Sequence, residues 1–283
     1  MLPEAIKTSI EHGLDAQIIN QVAITGGDIN YSARLDIDSG ERFFVKWNLR
    51  TPENMFQTEA QGLNLLSSAE SGLVIPEVRL VGDNFLLMEF IEESSYGNAY
   101  LFGSQLAKLH RKSNELFGLE TSNYIGRLPQ SNRYHADWLE FFMRERIEPQ
   151  VKMAIDSGKL PNNFHSIFER AFNYTYVIFP EEPPALLHGD LWNGNYMWTS
   201  GGDTAIYDPA VYFGHREMDL AMTRLFGGFS EEFYHSYNDI YPLEKGYEER
   251  FKLCNLYPIL VHANLFGGGY VSQAKQLLKR FFG

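Results

Sequence analysis

Asp190 and Asn195 stand five positions apart in His188-Gly189-Asp190-Leu191-Trp192-Asn193-Gly194-Asn195, and a second carboxylate, Asp208, follows thirteen positions later in Ile206-Tyr207-Asp208-Pro209. Gly, Asn and Asp are ordinary turn residues, so either segment alone would read as a turn. Two such segments at this spacing, joined by a short strand-like run, constrain the chain far more. They call for a loop and a return that present a carboxylate, an amide and a carboxylate to one piece of chemistry.

The residue types specify that chemistry. An aspartate against an acceptor hydroxyl orients it and takes its proton as the bond to phosphorus forms, which makes Asp190 the candidate base. Mg²⁺ is a hard cation that prefers oxygen ligands, and Asn195 offers a carbonyl oxygen where Asp208 offers a carboxylate. The pattern is that of phosphoryl transfer from ATP to a hydroxyl.

The other half of a nucleotide site lies upstream. Ile24-Thr25-Gly26-Gly27-Asp28-Ile29-Asn30 is a glycine-containing turn in which Gly26 and Gly27 would permit close backbone approach to phosphates, although a plain hairpin explains it equally well. It precedes two strand patterns, Ser32 to Asp38 and Arg42 to Lys46, joined by the hairpin turn Asp38-Ser39-Gly40. Lys46 closes the second strand, where its ammonium would reach phosphates. Thr51-Pro52-Glu53 then has the form of a helix start, with a capping hydroxyl and proline in the first turn. On that helix Glu59, beside the apolar stripe Ala60, Leu63 and Leu66, is the expected partner of Lys46. Glu53 competes but belongs to the first turn, where an acid favours the helix dipole anyway. Val78 to Gly82 and Phe85 to Ile91 read as two further strands, and Glu92-Glu93-Ser94-Ser95 breaks the apolar run. In a two-lobed kinase this break would be the hinge, and the backbone of Glu89, Phe90 and Ile91 would meet the adenine edge.

At 283 residues and 44% hydrophobic content the chain can bury a substantial core in one or two domains. A formal charge of −12 argues against nucleic acid or an anionic membrane as the main partner. The single cysteine, Cys254, excludes an intramolecular disulfide and a cysteine-based zinc cluster. No run approaches transmembrane length, and Met1-Leu2-Pro3-Glu4-Ala5-Ile6-Lys7 lacks the basic and apolar regions of a signal peptide, so a cytoplasmic location is expected. Beyond the break the pattern turns helical, from Asn98 to Arg111 and again from His135, with core stripes that include Leu106, Leu109, Phe141 and Phe142. The polar loop Thr121 to Asn132 between them is long enough to invite a functional role.

The chain resembles the fructosamine kinase (ketosamine-3-kinase) family, which is related in fold to aminoglycoside phosphotransferases and choline kinases. The likeness rests on Phe44-Val45-Lys46, Ile125-Gly126 with Pro129-Gln130 and Asn132, and Asp137-Trp138 with Phe141-Phe142. It continues through the His188 to Asn195 segment, Asp208-Pro209-Ala210, Gly214-His215-Arg216-Glu217-Met218-Asp219, Leu225 to Phe229, and Asn264-Leu265-Phe266-Gly267-Gly268-Gly269-Tyr270. These motifs cover almost the whole chain, and Trp192 with the Gly-His-Arg-Glu segment separates them from the broader phosphotransferases.

The resemblance implies a two-lobed α+β, protein-kinase-like fold. Residues 1–91 would form a small antiparallel-sheet lobe and residues 92–283 a mostly helical catalytic lobe, with the hinge near 89–94. It implies ATP-dependent phosphorylation, with Mg²⁺, of the 3-hydroxyl of a ketoamine, free or carried on a glycated lysine of a protein. That step promotes loss of the adduct and so serves deglycation. Asp190 carries over as proton acceptor, Asn195 and Asp208 as metal ligands, Lys46 with Glu59 as phosphate clamp, and Asp219 as a brace for the catalytic loop. Many members have cysteine where this chain has Asp28, so regulation by a disulfide through that turn is not expected here. His188, His215 and His262 read as packing and hydrogen-bonding residues, and Arg216 and Glu217 either face the acceptor pocket or pair inside the large lobe. Three alternatives stay open: a kinase for another amine-bearing acceptor, such as an aminoglycoside or a choline-like alcohol, a metabolic sugar-amine kinase that uses free glycated amino acids, and a non-catalytic nucleotide-binding module.

Overall fold

A computed structural model describes residues 1–25, 29–162, 164 and 179–282. The chain divides into two compact units, Met1–Asn98 with Tyr196–Pro209, and Ala99–Asn195 with Ala210–Gly283.

In the first unit a helix, α1 (Glu4–Leu14), precedes strands β1 (Ile18–Ile24), β2 (Tyr31–Ile37) and β3 (Arg42–Trp47). Helix α2 (Met55–Ser67) and strands β4 (Val78–Val81) and β5 (Phe85–Glu89) follow, and among the described residues the sheet is antiparallel in the order β1-β2-β3-β5-β4. Strand side chains alternate between faces, so the sheet buries two different surfaces. Ala33, Leu35, Ile37, Phe43, Val45, Trp47 and Leu87 pack with Ile6 and Ile10 of α1, whereas Leu86, Met88 and Phe44 pack with Phe56, Ala60 and Leu63 of α2. Lys46 has the parity of Phe44 and opposes Leu86 in the ladder. Alternation thus turns Lys46 to the α2 face.

The helix that carries Glu59 starts later than the Thr51 cap predicts. Asn54 takes a left-handed conformation, φ 58°, which breaks any helical run through Pro52 and Glu53 and leaves Met55 as the first helical residue. Thr51 instead directs its hydroxyl to the Asp83 carbonyl at 3.5 Å. Edge strand β1 has no counterpart among the expected strands; none of its residues is buried, and its sequence carries no two-residue apolar alternation before Ile24.

A hairpin, Tyr196–Thr199 with Thr204–Ile206, belongs to this first unit. Trp198 and Thr199 pair with Ser94 and Glu93, while Val74 donates to the Thr204 carbonyl at 2.8 Å and accepts from the Ile206 amide at 3.0 Å. These backbone bonds fix the strand that leads into Asp208.

The second unit is mostly helical. Helix Ala99–Leu109 packs on helix Glu231–Ile240, where Phe102 and Phe233 meet with ring centroids 4.9 Å apart. Trp138–Phe141 runs through a π-helical turn, Phe142–Ile147, into Glu148–Asp156. Strand Ala185–Leu187 pairs antiparallel with Tyr212–Gly214 and leads into the His188 to Asn195 segment. Most of the loop from Thr121 to Asn132 is a short hairpin, Asn123–Ile125 with Leu128–Gln130. Its polarity reflects buried bonds: Asn123 donates to the Val211 carbonyl, and Gln130 donates to Asn123 Oδ1 and to the Ala210 carbonyl.

Candidate active site

Three charged side chains converge in the first unit. Lys46 Nζ is ion-paired with Glu59 Oε1 and lies 2.7 Å from Asp208 Oδ1. The Lys46 and Glu59 side chains are 6% and 10% exposed, whereas that of Asp208 is 48% exposed and offers its carboxylate to solvent. Burial by itself would lower the Lys46 pKa, but the carboxylates of Asp208 and Glu59 more than reverse it, so the ammonium stays charged. Burial raises the Glu59 carboxyl to about 7, the Asp208 charge adding to the rise and Lys46 opposing it. Asp208 itself has φ 56°, a left-handed backbone that aspartate tolerates better than most residues.

Glu89 closes β5 opposite Phe43, and its amide donates to the Glu77 carbonyl at 2.8 Å. Phe90 and Ile91 extend past that last ladder pair, and the guanidinium groups of Arg34 and Arg42 each lie 5.7 Å from the Phe90 ring centre. Gly26 and Gly27, expected over the phosphates, lie with Asp28 outside the described residues.

Asp190 and Asn195 occupy one loop of the second unit. Asn195 Nδ2 donates to the Asp190 carbonyl at 2.8 Å and to Asp190 Oδ2 at 3.1 Å, so the amide holds the carboxylate in place. The loop hangs on Asp219, whose two carboxylate oxygens accept the amides of His188 at 2.7 Å and Gly189 at 2.9 Å. His110 Nε2 approaches Asp219 at 3.2 Å, and His110 Nδ1 meets the Tyr237 hydroxyl at 2.8 Å. Burial would raise the Asp219 pKa; the hydrogen bond and charge of His110 and the backbone donors outweigh it and hold the carboxyl below its usual range. Gly189 must be glycine: its φ is +83°, and a Cβ there would sit 2.1 Å from the Ala210 carbonyl oxygen. His188 Nδ1 accepts the Asp190 amide at 3.3 Å, a bond within the loop.

Beside Asp190 a largely apolar pocket is lined by residues that include Ile125, Tyr212, Met218, Tyr257 and His262. None of these was singled out from the sequence as a site residue. Ile125 belongs to the long polar loop, Met218 to the Gly214–Asp219 motif, and His262 reads from the sequence as a packing and hydrogen-bonding residue. Arg216 and Glu217 pair inside this unit: Arg216 makes a two-point contact with Glu182 at 2.7 Å, and Arg250 Nη2 meets Glu217 at 2.7 Å.

The fructosamine kinase family model matches residues 2–283. A probable ketoamine kinase of Vibrio parahaemolyticus is 40% identical over 272 residues, spanning 93% of this chain and 93% of that protein. The chloroplastic protein-ribulosamine 3-kinase of Arabidopsis thaliana is 35% identical over 280 residues, 95% of this chain and 84% of that one. Among solved structures, a fructosamine-3-kinase candidate from Thermobifida fusca has a TM-score of 0.90 at 31% identity and covers 99% of each chain. The streptomycin–ATP ternary complex of APH(2″)-IIa has a TM-score of 0.68 at 14% identity over 100% of this chain and 99% of that one, a likeness of fold.

Proposed function

The chain belongs to the fructosamine kinase family, with its α+β protein-kinase-like fold, and on that premise we propose that it uses ATP to phosphorylate the 3-hydroxyl of a ketoamine. The observation that carries this reading is Asp190 itself: a carboxylate held by Asn195, on a loop braced by Asp219, in the wall of an apolar pocket. The names of the relatives, ketoamine kinase and protein-ribulosamine 3-kinase, support the acceptor class.

In this reading Asp190 orients the acceptor hydroxyl and takes its proton. Lys46, kept charged and aimed by Glu59, clamps the nucleotide phosphates, and Gly26 and Gly27 supply the covering turn. The backbone of Glu89, Phe90 and Ile91 meets the adenine edge. The donor set suits Mg²⁺, because Asp208 presents a half-exposed carboxylate and Asn195, with its Nδ2 committed to Asp190, has Oδ1 to give, both hard oxygen ligands. When bound, Mg²⁺ would neutralise phosphate charge.

A 3-phosphorylated ketoamine sheds its sugar spontaneously, so the proposed role is deglycation of free or protein-bound glycated lysine in the cytoplasm. Among the described residues no helix is long and apolar enough to cross a membrane. The test is ATP consumption by purified protein with Mg²⁺ on ribulose-lysine, fructose-lysine, a glycated protein, choline and an aminoglycoside, with Asp190→Asn as control. Selective turnover of the ketoamines is expected. Turnover of choline or the aminoglycoside alone would move the function to another acceptor.

A further inference from the structure

His262, on helix Leu256–Phe266, is among the residues that line the pocket containing Asp190. Its Nδ1 lies 2.8 Å from the Pro258 carbonyl oxygen, one turn back on the same helix. A carbonyl oxygen only accepts, so Nδ1 carries the proton, and in the neutral ring Nε2 is then a lone-pair acceptor. Burial holds the His262 pKa below the usual histidine value, with the Pro258 bond only partly opposing, so the ring is neutral near pH 7. Three aromatic neighbours fix its plane: the rings of Phe226, Tyr270 and Phe266 have centroids 4.8, 5.0 and 5.6 Å from the imidazole.

The remaining pocket wall has little polarity left to offer a sugar. Ile125, Met218, Met222, Pro258 and Val261 are apolar, and the Tyr257 hydroxyl already donates to Gln130 Oε1 at 2.7 Å. A hydroxyl buried in such a wall without a partner costs about 1–3 kcal/mol. Among the described residues no protein group hydrogen-bonds to His262 Nε2. An aromatic packing role alone would be served as well by phenylalanine; the bond from Nδ1 to the Pro258 carbonyl, which leaves Nε2 as an acceptor, is not required for packing.

We propose that His262 is an acceptor-binding residue whose Nε2 accepts a hydrogen bond from a sugar hydroxyl next to the one that Asp190 orients. The inference rests on the ketoamine reading above and adds to it a residue that selects the sugar. It concerns the sugar and not the amine, so it applies equally to free and protein-bound adducts.

The test is steady-state kinetics of the full chain with ribulose-lysine and fructose-lysine, each substrate varied in turn, on wild type and three variants. His262→Phe keeps an aromatic ring and removes Nε2; His262→Asn keeps a donor for the Pro258 carbonyl and removes Nε2; His262→Gln places an amide oxygen near the Nε2 position. The expected result is a ketoamine KM raised about tenfold in the Phe and Asn variants, an ATP KM within about twofold of wild type, and partial recovery in the Gln variant. Thermal melting checks that each variant is folded. An unchanged ketoamine KM in a folded Phe or Asn variant overturns the inference, as does an equal loss in all three variants, which would mark a packing role. If wild type turns over ketoamines and the variants match it, only this inference falls; if wild type binds ATP but turns over no ketoamine, the functional reading falls and takes the inference with it.

Discussion

The ammonium of Lys46 stands 2.7 Å from Oδ1 of Asp208, across 162 positions of sequence. One partner is delivered by strand alternation in β3, which turns Lys46 toward α2, and the other by a hairpin stitched to Val74. The pair joins the proposed phosphate clamp to the proposed metal carboxylate.

Replacing Asp208 should separate charge from backbone. Asparagine tolerates the left-handed conformation at φ 56° and alanine does not, so Asp208→Asn and Asp208→Ala should both weaken ATP binding in Mg²⁺, but only Ala should also lower the melting temperature. Calorimetry is expected to give at least a tenfold rise in Kd with Mg²⁺, about 1.4 kcal/mol, and a much smaller change without it. Equal effects in both conditions would remove Asp208 from the metal.

Asp190→Asn would remove the proposed base and leave the proposed clamp of Lys46 and Glu59 untouched. Turnover should fall by roughly 10²–10⁴-fold while the Kd for ATP stays within a few-fold of wild type. Because Asn195 already donates to Asp190 Oδ2, the substituted amide can turn its oxygen to that donor, which keeps the loop folded. Undiminished kcat would rule out this base.

Gly189→Ala should damage the loop through its backbone. The methyl group meets the Ala210 carbonyl oxygen at 2.1 Å and the residue must hold φ +83°, so the amides of His188 and Gly189 cannot both stay on Asp219. A loss on the order of 3 kcal/mol or more is expected in urea unfolding. A variant as stable as wild type would mean that the loop relaxes freely.

Acid should destabilise the protein partly through His215. Burial first, then the Arg216 and Arg250 charges, push its pKa from 6.5 down to about 4, with Glu182 opposing. The unfolded chain takes up the proton below about 6.5 while the folded one does not. Stability is therefore lost as pH falls from about 6.5 toward about 4, by on the order of 3 kcal/mol for the full shift. The ring packs among aromatic side chains, 5.8 Å from Trp138 and 5.1 Å from Phe179, so His215→Phe keeps much of the packing and removes the titration. Urea midpoints at pH 7 and 4.5 should differ less in the variant than in wild type; an equal difference would clear His215.

Much of this protein is written in local pattern. The positions of Asp190, Asn195 and Asp208 follow from chemistry at short spacing, Lys46 from a strand of period two, and Glu59 from the stripe of Ala60, Leu63 and Leu66 beside it. Family membership is equally legible, since its motifs run almost the whole length. Periodicity assigns a face to a residue, yet it does not say which distant segment will cover that face. So Val74 holding the Asp208 hairpin, Asp219 taking the amides of His188 and Gly189, and Tyr212, Tyr257 and His262 lining one pocket emerge only in the fold. Short-range pattern is enough to name the candidate side chains; which of them meet depends on long-range packing and backbone geometry that no short window of residues contains.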